Sequence, residues 1–384
     1  MAKTNVKTSL QPHSKAKVDF LKSYLGRYLR ILNRVSYIQK INLFDVFCGM
    51  GIYDDGGKGS PIVIAEAICE IAKTEPNLLQ KISLHLNDAD KIKIENVEKH
   101  IEQNNLNPFT IHYYNSDIQA MFTTVLREAN QNIQSIFNLA FIDPYGYKEI
   151  KRDVLVSLLQ NKHTEIILFL PISHMYRFTK VAQADTKKTQ YKPLRDFIES
   201  FFAENHPIRT QQVENPHNYI NYLKEAFSFK NNRFSASYFI ERNETNFNAL
   251  FFMTSHIYGL EKILEVKWQL NDENGKGFTQ AKPLTLFDDY YATEAKENNV
   301  ERLKQIILTE LENKDLTNVE MYQLALQNEF LPKHANEVLK GLQNSNQISV
   351  VDEKTNISTR KGTFYLRYNV HNNTTSKVTI KKSR

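Results

Sequence analysis

The sequence predicts an α/β protein with a Rossmann-like, mostly parallel sheet, a helical insertion and a C-terminal winged-helix-like domain. Three observations support this fold class. Short apolar runs alternate with helical patterns from residue 41 to residue 170. The first of these runs ends in the glycine turn Gly49-Met50-Gly51. Three helical patterns followed by strand-like runs make up the region after residue 296, which is the winged-helix order. Strands separated by helices in this way form parallel sheets with right-handed crossovers.

The first predicted element is an amphipathic helix over residues 14–33, in which Val18, Leu21 and Leu25 recur at spacings of three and four. Because one face is apolar and the outer face is basic, we expect this helix to cover one edge of the sheet. A second helix is expected to begin at Ser60-Pro61, because serine is a favoured N-cap and proline is tolerated in the first turn. The remaining expected elements are strands 41–47, 82–86, 110–114, 139–142 and 165–170, and helices over about 90–103 and 118–130.

These patterns predict several successive regions. The insertion carries an acid-poor stretch with Arg177, Lys180, Lys187, Lys188 and Lys192. After it, strands 237–241 and 249–254 are expected to form an antiparallel pair at a sheet edge. The strands of the wing are expected at 348–351 and 363–368. The expected regions are a helical cap (1–36), a Rossmann-like domain (37–270, insertion about 173–233), a linker (271–296), a winged-helix-like domain (297–370) and a basic tail (371–384).

Composition excludes some classes of protein. There is no run of eighteen apolar residues and no apolar stretch near the N-terminus, so we expect a cytoplasmic protein without membrane contact. Two cysteines are too few for a disulfide scaffold, and no two histidines are spaced as a metal-binding pair, so no metal is expected. The net charge of +6 suits a polyanionic partner without requiring one. The basic C-terminal end is either a frayed, solvated tail or a nucleic-acid contact.

The glycine turn after the first strand is the first candidate ligand site. Asp45 lies in the strand, Phe47 follows it, and Gly49 and Gly51 allow a sharp turn in which the backbone can approach a ligand closely. A tight strand-to-helix connection without a ligand would give the same pattern. Asp45 is the first of three acids at successive strand ends, followed by Asp88 and Asp117. This series makes the ligand interpretation stronger than the glycines alone do.

The second and third strands end in Asn87-Asp88 and in Asn115-Ser116-Asp117. An acid at the end of the second strand is where Rossmann-type sites bind ribose hydroxyls, and Asp117 is then placed to meet an adenine amino group. Each acid is also a favoured helix N-cap. The sequence therefore predicts that Asp88 and Asp117 bind a nucleotide-type cofactor, with helix capping as the alternative.

The fourth strand leads into Asp143-Pro144-Tyr145-Gly146. This turn offers a carboxylate and a proline-preceding carbonyl as acceptors, with an aromatic ring beside them. Such a group suits a planar substrate that carries an exocyclic amine, because the acceptors hold the amine while the ring stacks on the base. Asp-Pro pairs also occur in turns without function.

In their order, these motifs resemble the three-Cys-motif partner family, bacterial proteins with a class I methyltransferase-like domain. The resemblance covers roughly the first 270 residues, and its most specific part is the Gly-Ser-Pro block. It implies S-adenosylmethionine as the cofactor, with Asp45 near its ammonium group, and a genomic partner protein that carries the three-cysteine motif. The segments that carry the resemblance are the helix starting at His13-Ser14-Lys15, the block Phe44-Asp45-Val46-Phe47-Cys48-Gly49-Met50-Gly51-Ile52-Tyr53, the block Gly57-Lys58-Gly59-Ser60-Pro61, and Phe141-Ile142-Asp143-Pro144-Tyr145-Gly146.

A more distant similarity is to tRNA guanine N2-dimethyltransferases, where an Asn-Asp pair ends the second strand and Asp-Pro-Phe-Gly follows the fourth. Tyr145 stands here in place of that Phe. The similarity implies methyl transfer to an exocyclic amine of a DNA or RNA base. The alternatives are a methyltransferase fold without activity that binds nucleic acid or a partner protein, and a methyltransferase acting on protein or a small molecule. The loop 57–60 is either a lid over the cofactor or a simple connection.

Overall fold

The structure is a computed structural model that describes residues 9–131, 134–185, 187–229, 233–243, 245–271, 275–279, 288–373 and 377–383, with side chains omitted at 279 and 288–297. The described residues divide into two compact units. The first comprises the residues up to 259 together with 277–279, and the second comprises 260–276 and the residues from 288 onward. Among the described helices, none has the length and apolar character needed to cross a membrane.

The first unit is built on an eight-stranded sheet with its helices in the connections. Its elements are α1 (Pro12–Asn33), β1 (Lys40–Asp45), α2 (Ser60–Ala72), β2 (Ile82–Asn87), α3 (Lys91–Gln103), β3 (Thr110–Tyr114), α4 (Ile118–Ala129), β4 (Ile136–Ile142), α5 (Arg152–Gln160), β5 (Thr164–Leu170), α6 (Ile172–Ala184), α7 (Lys192–Phe201), α8 (Pro207–Thr210), α9 (Pro216–Phe227), β6 (Phe234–Asn243), β7 (Asn246–Thr254) and, after helix α10 (Ile257–Leu270), β8 (Gly277–Thr279), with 3-10 helices at Pro76–Gln80, Tyr147–Glu149 and Thr189–Tyr191.

The order of the strands reverses between the two central strands, β1 and β4. The order is β3-β2-β1-β4-β5-β7-β6-β8, in which β1 to β5 are parallel and β7 runs antiparallel to both of its neighbours. The chain moves outward from β1 in one direction and then from β4 in the other. Ligands of open α/β sheets bind outside the carboxyl ends of the strands at such a reversal. The carboxyl ends of β1 and β4 are therefore the place to look for a site.

Burial explains why the central strands read as continuous apolar runs. All seven residues of β5 are buried, as are five of the six residues of β1, because helices cover both faces of a parallel sheet. Helices α6 to α9 occupy the expected insertion. The predicted antiparallel pair is present as β6 and β7, but it is not the edge of the sheet. The short strand β8 pairs with β6 and covers its outer side.

The second unit has the winged-helix order of three helices and a small antiparallel sheet. The sheet order is β10-β11-β9. Helices α12 and α13 are the predicted second and third helices, and α12 begins with a capping box between Thr317 and Glu320. Its elements are most of α10, then α11 (Asp288–Asn313), β9 (Leu316–Thr317), α12 (Asn318–Gln327), α13 (Pro332–Asn344), β10 (Ile348–Asp352), α14 (Tyr368–Asn372) and β11 (Val378–Lys382).

Three sequence expectations about the C-terminal region were wrong. Residues 363–368 form no strand. The partner of β10 is β11, inside the segment expected as a basic tail. Its buried residues Val378 and Ile380 alternate with the polar Thr379 and Lys381, which is the period of two of a strand, beside the basic residues of the tail. The expected linker contains β8 and the start of α11 in its described part, while residues 272–274 and 280–287 lie outside the described residues.

Candidate functional site

The glycine turn at the end of β1 has the backbone that only glycine adopts easily. Gly49 has φ +66° and Gly51 has φ +76°, both in the left-handed region. A Cβ at Gly49 would meet no atom within 4 Å, whereas one at Gly51 would lie 2.8 Å from Val97. Gly51 is therefore needed for packing on α3, and Gly49 leaves open space beside the turn.

Asp88, at the end of β2, lies against this turn. Its Oδ2 accepts a hydrogen bond from the Gly49 backbone N–H at 3.1 Å, and its Oδ1 accepts one from the Asp90 N–H at 2.9 Å. The Lys93 ammonium of α3 lies 3.5 Å from the same carboxylate. The ends of β1 and β2 thus meet through a carboxylate. Cofactor binding by Asp88 stays a prediction.

Asp45 is a buried ionisable group whose carboxylate oxygens make no regular hydrogen bond in the described part of the chain. It is fully buried, and neither carboxylate oxygen has a hydrogen-bond partner among the described residues. Burial, helped by the nearby charges of Asp143 and Asp88, raises its pKa to about 7, while the Ser60 hydroxyl and the Lys17 ammonium oppose the rise. Ser60 itself is the first residue of α2, whose N-cap is Gly59 and not Ser60 as expected. A buried carboxylate without partners favours a cationic, hydrogen-bond-donating ligand.

Asp143, after β4, is held by a lysine from the N-terminal helix. The Lys17 Nζ of α1 donates to Asp143 Oδ2 at 2.5 Å, and the two side chains are 13% and 23% exposed. The same ammonium lies 4.1 Å from the centre of the Phe169 ring at the end of β5. The end of β4 is therefore tied to α1, across 126 residues of sequence.

Tyr145 extends from the same turn into solvent. Its side chain is 78% exposed, while Pro144 beside it is buried. The Lys93 ammonium donates to the Tyr145 hydroxyl at 2.5 Å and lies 5.1 Å from the ring centre. Lys93 thus joins Tyr145 to Asp88. Gly146 has an extended φ of −170°, and a Cβ there would meet nothing within 4 Å.

Two residues of this cluster, Lys17 and Lys93, were missed from the sequence. We assigned the lysines of the first helix to its basic outer face. A signal was nevertheless present: Lys17 lies three, four and seven residues before the buried Phe20, Leu21 and Tyr24, which is the spacing of one helix face. Lys93 gave no comparable signal, because its partners come from β2 and from the turn after β4.

Asp117 and Phe47 have other roles among the described residues. The Asp117 carboxylate accepts hydrogen bonds from the Gln119 and Ala120 N–H groups, both at 2.9 Å, and caps α4. This is the capping alternative considered for it, and binding of an adenine group by Asp117 stays a prediction. Phe47 is half-buried and packs against the hydrophobic core.

The loop between the glycine turn and α2 is fastened to the turn by backbone hydrogen bonds. The Gly59 N–H donates to the Gly51 carbonyl at 2.6 Å, and the Tyr53 N–H donates to the Gly57 carbonyl at 2.8 Å. Lys58 pairs with Glu66 of α2 at 2.6 Å. The connection is thus ordered by its own contacts, and its role as a lid stays a prediction.

In the winged-helix unit, helix α13 exposes Lys333 and Lys340. His334 of the same helix packs against the Trp268 ring at 4.2 Å between ring centres. Burial lowers its pKa to about 4, so it stays neutral near pH 7. His334 also lies edge-on to the ring of the buried Phe330, so it contributes to packing within this unit.

Comparison with known proteins gives one family match and several solved structures of low similarity. A family model described as the GMT-like wHTH domain matches residues 271–355. No curated protein matches the chain. Solved structures align at low similarity: the O-methyltransferase from Bacillus cereus in complex with SAH (11% identity, TM-score 0.33, 64% of this chain and 88% of that chain) and the O-methyltransferase TomG from Streptomyces achromogenes in complex with SAM (10%, 0.33, 66% and 94%).

A third similar structure is WbdD, at 12% identity and TM-score 0.33, where the match covers 62% of this chain and 40% of that chain. These values are too low to transfer an activity, so the fold is assigned from the sheet. The order β3-β2-β1-β4-β5-β7-β6 with β7 reversed is that of class I methyltransferases. The chain has a Rossmann-like methyltransferase fold and a C-terminal winged-helix domain.

Proposed function

We propose that this protein binds S-adenosylmethionine and transfers a methyl group to an exocyclic amine of a nucleic-acid base. The observation that carries the proposal is the convergence of Asp45, Asp88 and Asp143 at the carboxyl ends of β1, β2 and β4. Asp88 contacts the Gly49 turn at 3.1 Å, and the charges of Asp88 and Asp143 act on the pKa of Asp45. Three acids around one open turn at a reversal of strand order form a polar site outside the sheet.

The residues present suit the proposed cofactor. The unpartnered carboxylate of Asp45 would hold its ammonium group, directly or through water, and the space beside Gly49 would admit its backbone-like portion. Asp88 would accept from the ribose hydroxyls. S-adenosylmethionine, when bound, supplies an electrophilic methyl group on a sulfonium centre. The proposed cofactor site also includes Asp117 and Phe47.

At the substrate side, the Asp143 carboxylate and the carbonyl region of Pro144 would accept the N–H bonds of the amine. The exposed Tyr145 ring would stack on the base. Orientation and exclusion of water would then provide most of the rate increase. A nucleic-acid substrate is supported by the GMT-like wHTH match and by the exposed Lys333 and Lys340 of α13.

The first test is calorimetry of the full chain with S-adenosylmethionine. We expect saturable binding by the wild type and at least tenfold weaker binding by Asp88→Ala, because that change removes the partner of the Gly49 N–H. No heat at millimolar ligand would refute the proposal. The second test supplies cofactor labelled in its methyl group with total cellular DNA or RNA, and we expect label in one of the two pools.

One observation favours a second candidate function, a methyltransferase fold that binds nucleic acid or a partner protein without catalysis. Asp143 is already held by Lys17 at 2.5 Å, so its carboxylate is engaged without a substrate. Asp143→Ala separates the two functions. An enzyme loses methyl transfer and keeps cofactor affinity, whereas a binding protein keeps its nucleic-acid affinity and has no transfer to lose. A partner with the three-cysteine motif remains part of the proposal, to be tested by co-purification.

A further inference from the structure

A cleft of about 600 Å³ lies in the first unit, directly after the Asp143–Gly146 turn. Its walls are Tyr147 and Lys148, the start of α5 and one face of α7. The cleft begins two residues beyond Tyr145, a span of at most about 7 Å of extended chain. A long ligand that presents a group to Asp143 and Tyr145 can therefore reach it.

The cleft is lined by an excess of positive charge. Lys148, Lys151, Arg152 and Lys192 face it, against two acids, Asp153 and Asp196. Lys192 pairs with Asp196 at 2.5 Å, and Lys148 lies 3.5 Å from Glu149. In the described part of the chain, the Lys151 ammonium group has no ion-pair or hydrogen-bond partner, and its backbone carbonyl accepts from the Leu155 N–H. Lys192 is the last member of the acid-poor stretch that the sequence marked, so the fold brings one end of that stretch to the turn after β4.

The backbone adds hydrogen-bond donors to the same cleft. Helix α5 begins at its wall, and its N-cap residue Lys151 does not satisfy the first-turn N–H groups with its side chain. Helix α7 also begins there, but the Lys192 N–H already bonds to the Thr189 carbonyl and Pro193 has no N–H. First-turn N–H groups such as those of α5 attract anions. Together with the lysines, they give the cleft positive charge and hydrogen-bond donors that suit phosphate groups, beside an apolar floor that includes Ile150 and Phe197.

We propose that this cleft binds the phosphodiester backbone of the nucleic acid whose base meets Asp143 and Tyr145. The inference rests on the proposed function, because it names the surface that holds the substrate beside the reacting base. A single strand carries one charge about every 3.4 Å, so consecutive phosphates reach several cations of the cleft at once. Closeness to the Asp143 turn favours nucleic acid over an acidic protein segment, which would use the same charges.

The test is fluorescence anisotropy of the full chain with a labelled single-stranded oligonucleotide of about 20 nucleotides, in DNA and RNA versions, over a salt series and without cofactor. The variant is Lys148→Gln/Lys151→Gln/Lys192→Gln. The matched control is Lys22→Gln/Lys99→Gln/Lys162→Gln, which removes the same charge from exposed lysines elsewhere in the first unit. Circular dichroism checks that both fold, and Lys151→Glu alone is a second, milder probe of the cleft.

We expect the cleft variant to bind at least tenfold more weakly at low salt. Its slope of log K against log salt should be shallower by about 2, since each phosphate contact of a single strand contributes about 0.7. Lys151→Glu should weaken binding severalfold, and the control should match the wild type. Equal losses in variant and control, or no binding by the wild type, would overturn the inference. Because no cofactor is present, cleft-dependent binding would stand even if calorimetry refuted the methyltransferase proposal.

Discussion

The Lys17 ammonium of the N-terminal helix lies 2.5 Å from the Asp143 carboxylate, and only 13% of the lysine side chain is exposed. Helix α1 therefore contributes directly to the turn that we propose holds the substrate amine. The pair fixes the carboxylate while leaving it partly exposed, which is what an acceptor for an incoming N–H group needs. The relationship also explains why a helix outside the strand-helix alternation belongs to the first unit.

Substituting Lys17 tests this relationship. Lys17→Met should lower kcat for methyl transfer by about 10-fold to 100-fold, because misplacement of an orienting group by about 1 Å has effects of that size. The affinity for S-adenosylmethionine should change less than about threefold by calorimetry, and Lys17→Arg should restore part of the rate. Lys15→Met is the control, since Lys15 lies on the same helix and pairs with the exposed Asp19. An unchanged or increased kcat in Lys17→Met would contradict the positioning role.

Cofactor binding should release a proton near neutral pH. The pKa of Asp45 is about 7 in the free protein, and a bound ammonium group would lower it, so the ionised form is favoured in the complex. At pH 7 we expect about half a proton released per cofactor, and affinity falling about tenfold per pH unit below that. Calorimetry in two buffers of different ionisation enthalpy measures this release. It should vanish in Asp45→Asn, and its persistence there would assign the proton to another group.

The glycine turn should show two separable costs. Gly49→Ala imposes only a left-handed backbone on alanine, at about 1 kcal/mol, whereas Gly51→Ala adds a contact 2.8 Å from Val97. We expect Gly51→Ala to lower the free energy of unfolding by about 2–3 kcal/mol. Urea denaturation measures both. Gly146→Ala, at an extended and open position, is the control and should cost nothing. Equal losses at positions 49 and 51 would show that Val97 yields without cost.

Asp117 distinguishes capping from cofactor binding. Because its carboxylate accepts the Gln119 and Ala120 N–H groups, Asp117→Ala should destabilise the protein by about 1 kcal/mol. Asp117→Asn should restore most of that stability, since asparagine is an equally good cap. If both variants bind S-adenosylmethionine as the wild type does, Asp117 acts only as a cap. Weaker binding by Asp117→Asn would assign it to the cofactor site.

The buried carboxyl group of Glu165, near the start of β5, should make the stability of the protein depend on pH. Tyr24 and Thr254 donate to Glu165 of β5 at 2.5 and 2.9 Å, and burial raises its pKa from 4.5 to about 7 despite these bonds. The folded state therefore holds a proton that the unfolded chain loses. This stabilises the fold fully below about pH 4.5, and the advantage is lost as pH rises to about 7.

Between those values the free energy of unfolding should fall by about 3 kcal/mol, for a shift of about 2.5 units. Glu165→Gln is neutral throughout and should remove this part of the dependence. Asp45 still titrates in that variant, so the free energy of unfolding keeps a pH dependence that is smaller than that of the wild type. Denaturation followed by circular dichroism between about pH 5 and 8 makes the comparison. Parallel curves for wild type and Glu165→Gln would show that Glu165 stays ionised in the folded protein.

The sequence by itself determined the local elements and the residues at strand ends. Apolar runs of five to seven residues, separated by helical periodicity, were enough to predict β1 to β5 in order. In parallel strands those ends meet at one edge, so the chain order alone was enough to group Asp45, Asp88 and Asp143. It failed at β11, where only Val378 and Ile380 are apolar and the surrounding residues are polar or basic.

Only the tertiary structure decided which distant groups meet. Lys17 reaches Asp143 across 126 residues, and Lys93 joins Asp88 to Tyr145, because helix packing on the sheet sets these distances and no local pattern encodes them. The same is true of the cleft, where Lys192 of α7 faces Lys148 and Lys151. Local spacing fixes the face on which a side chain lies. The contact it makes depends on burial of the apolar surfaces that bring separate elements together.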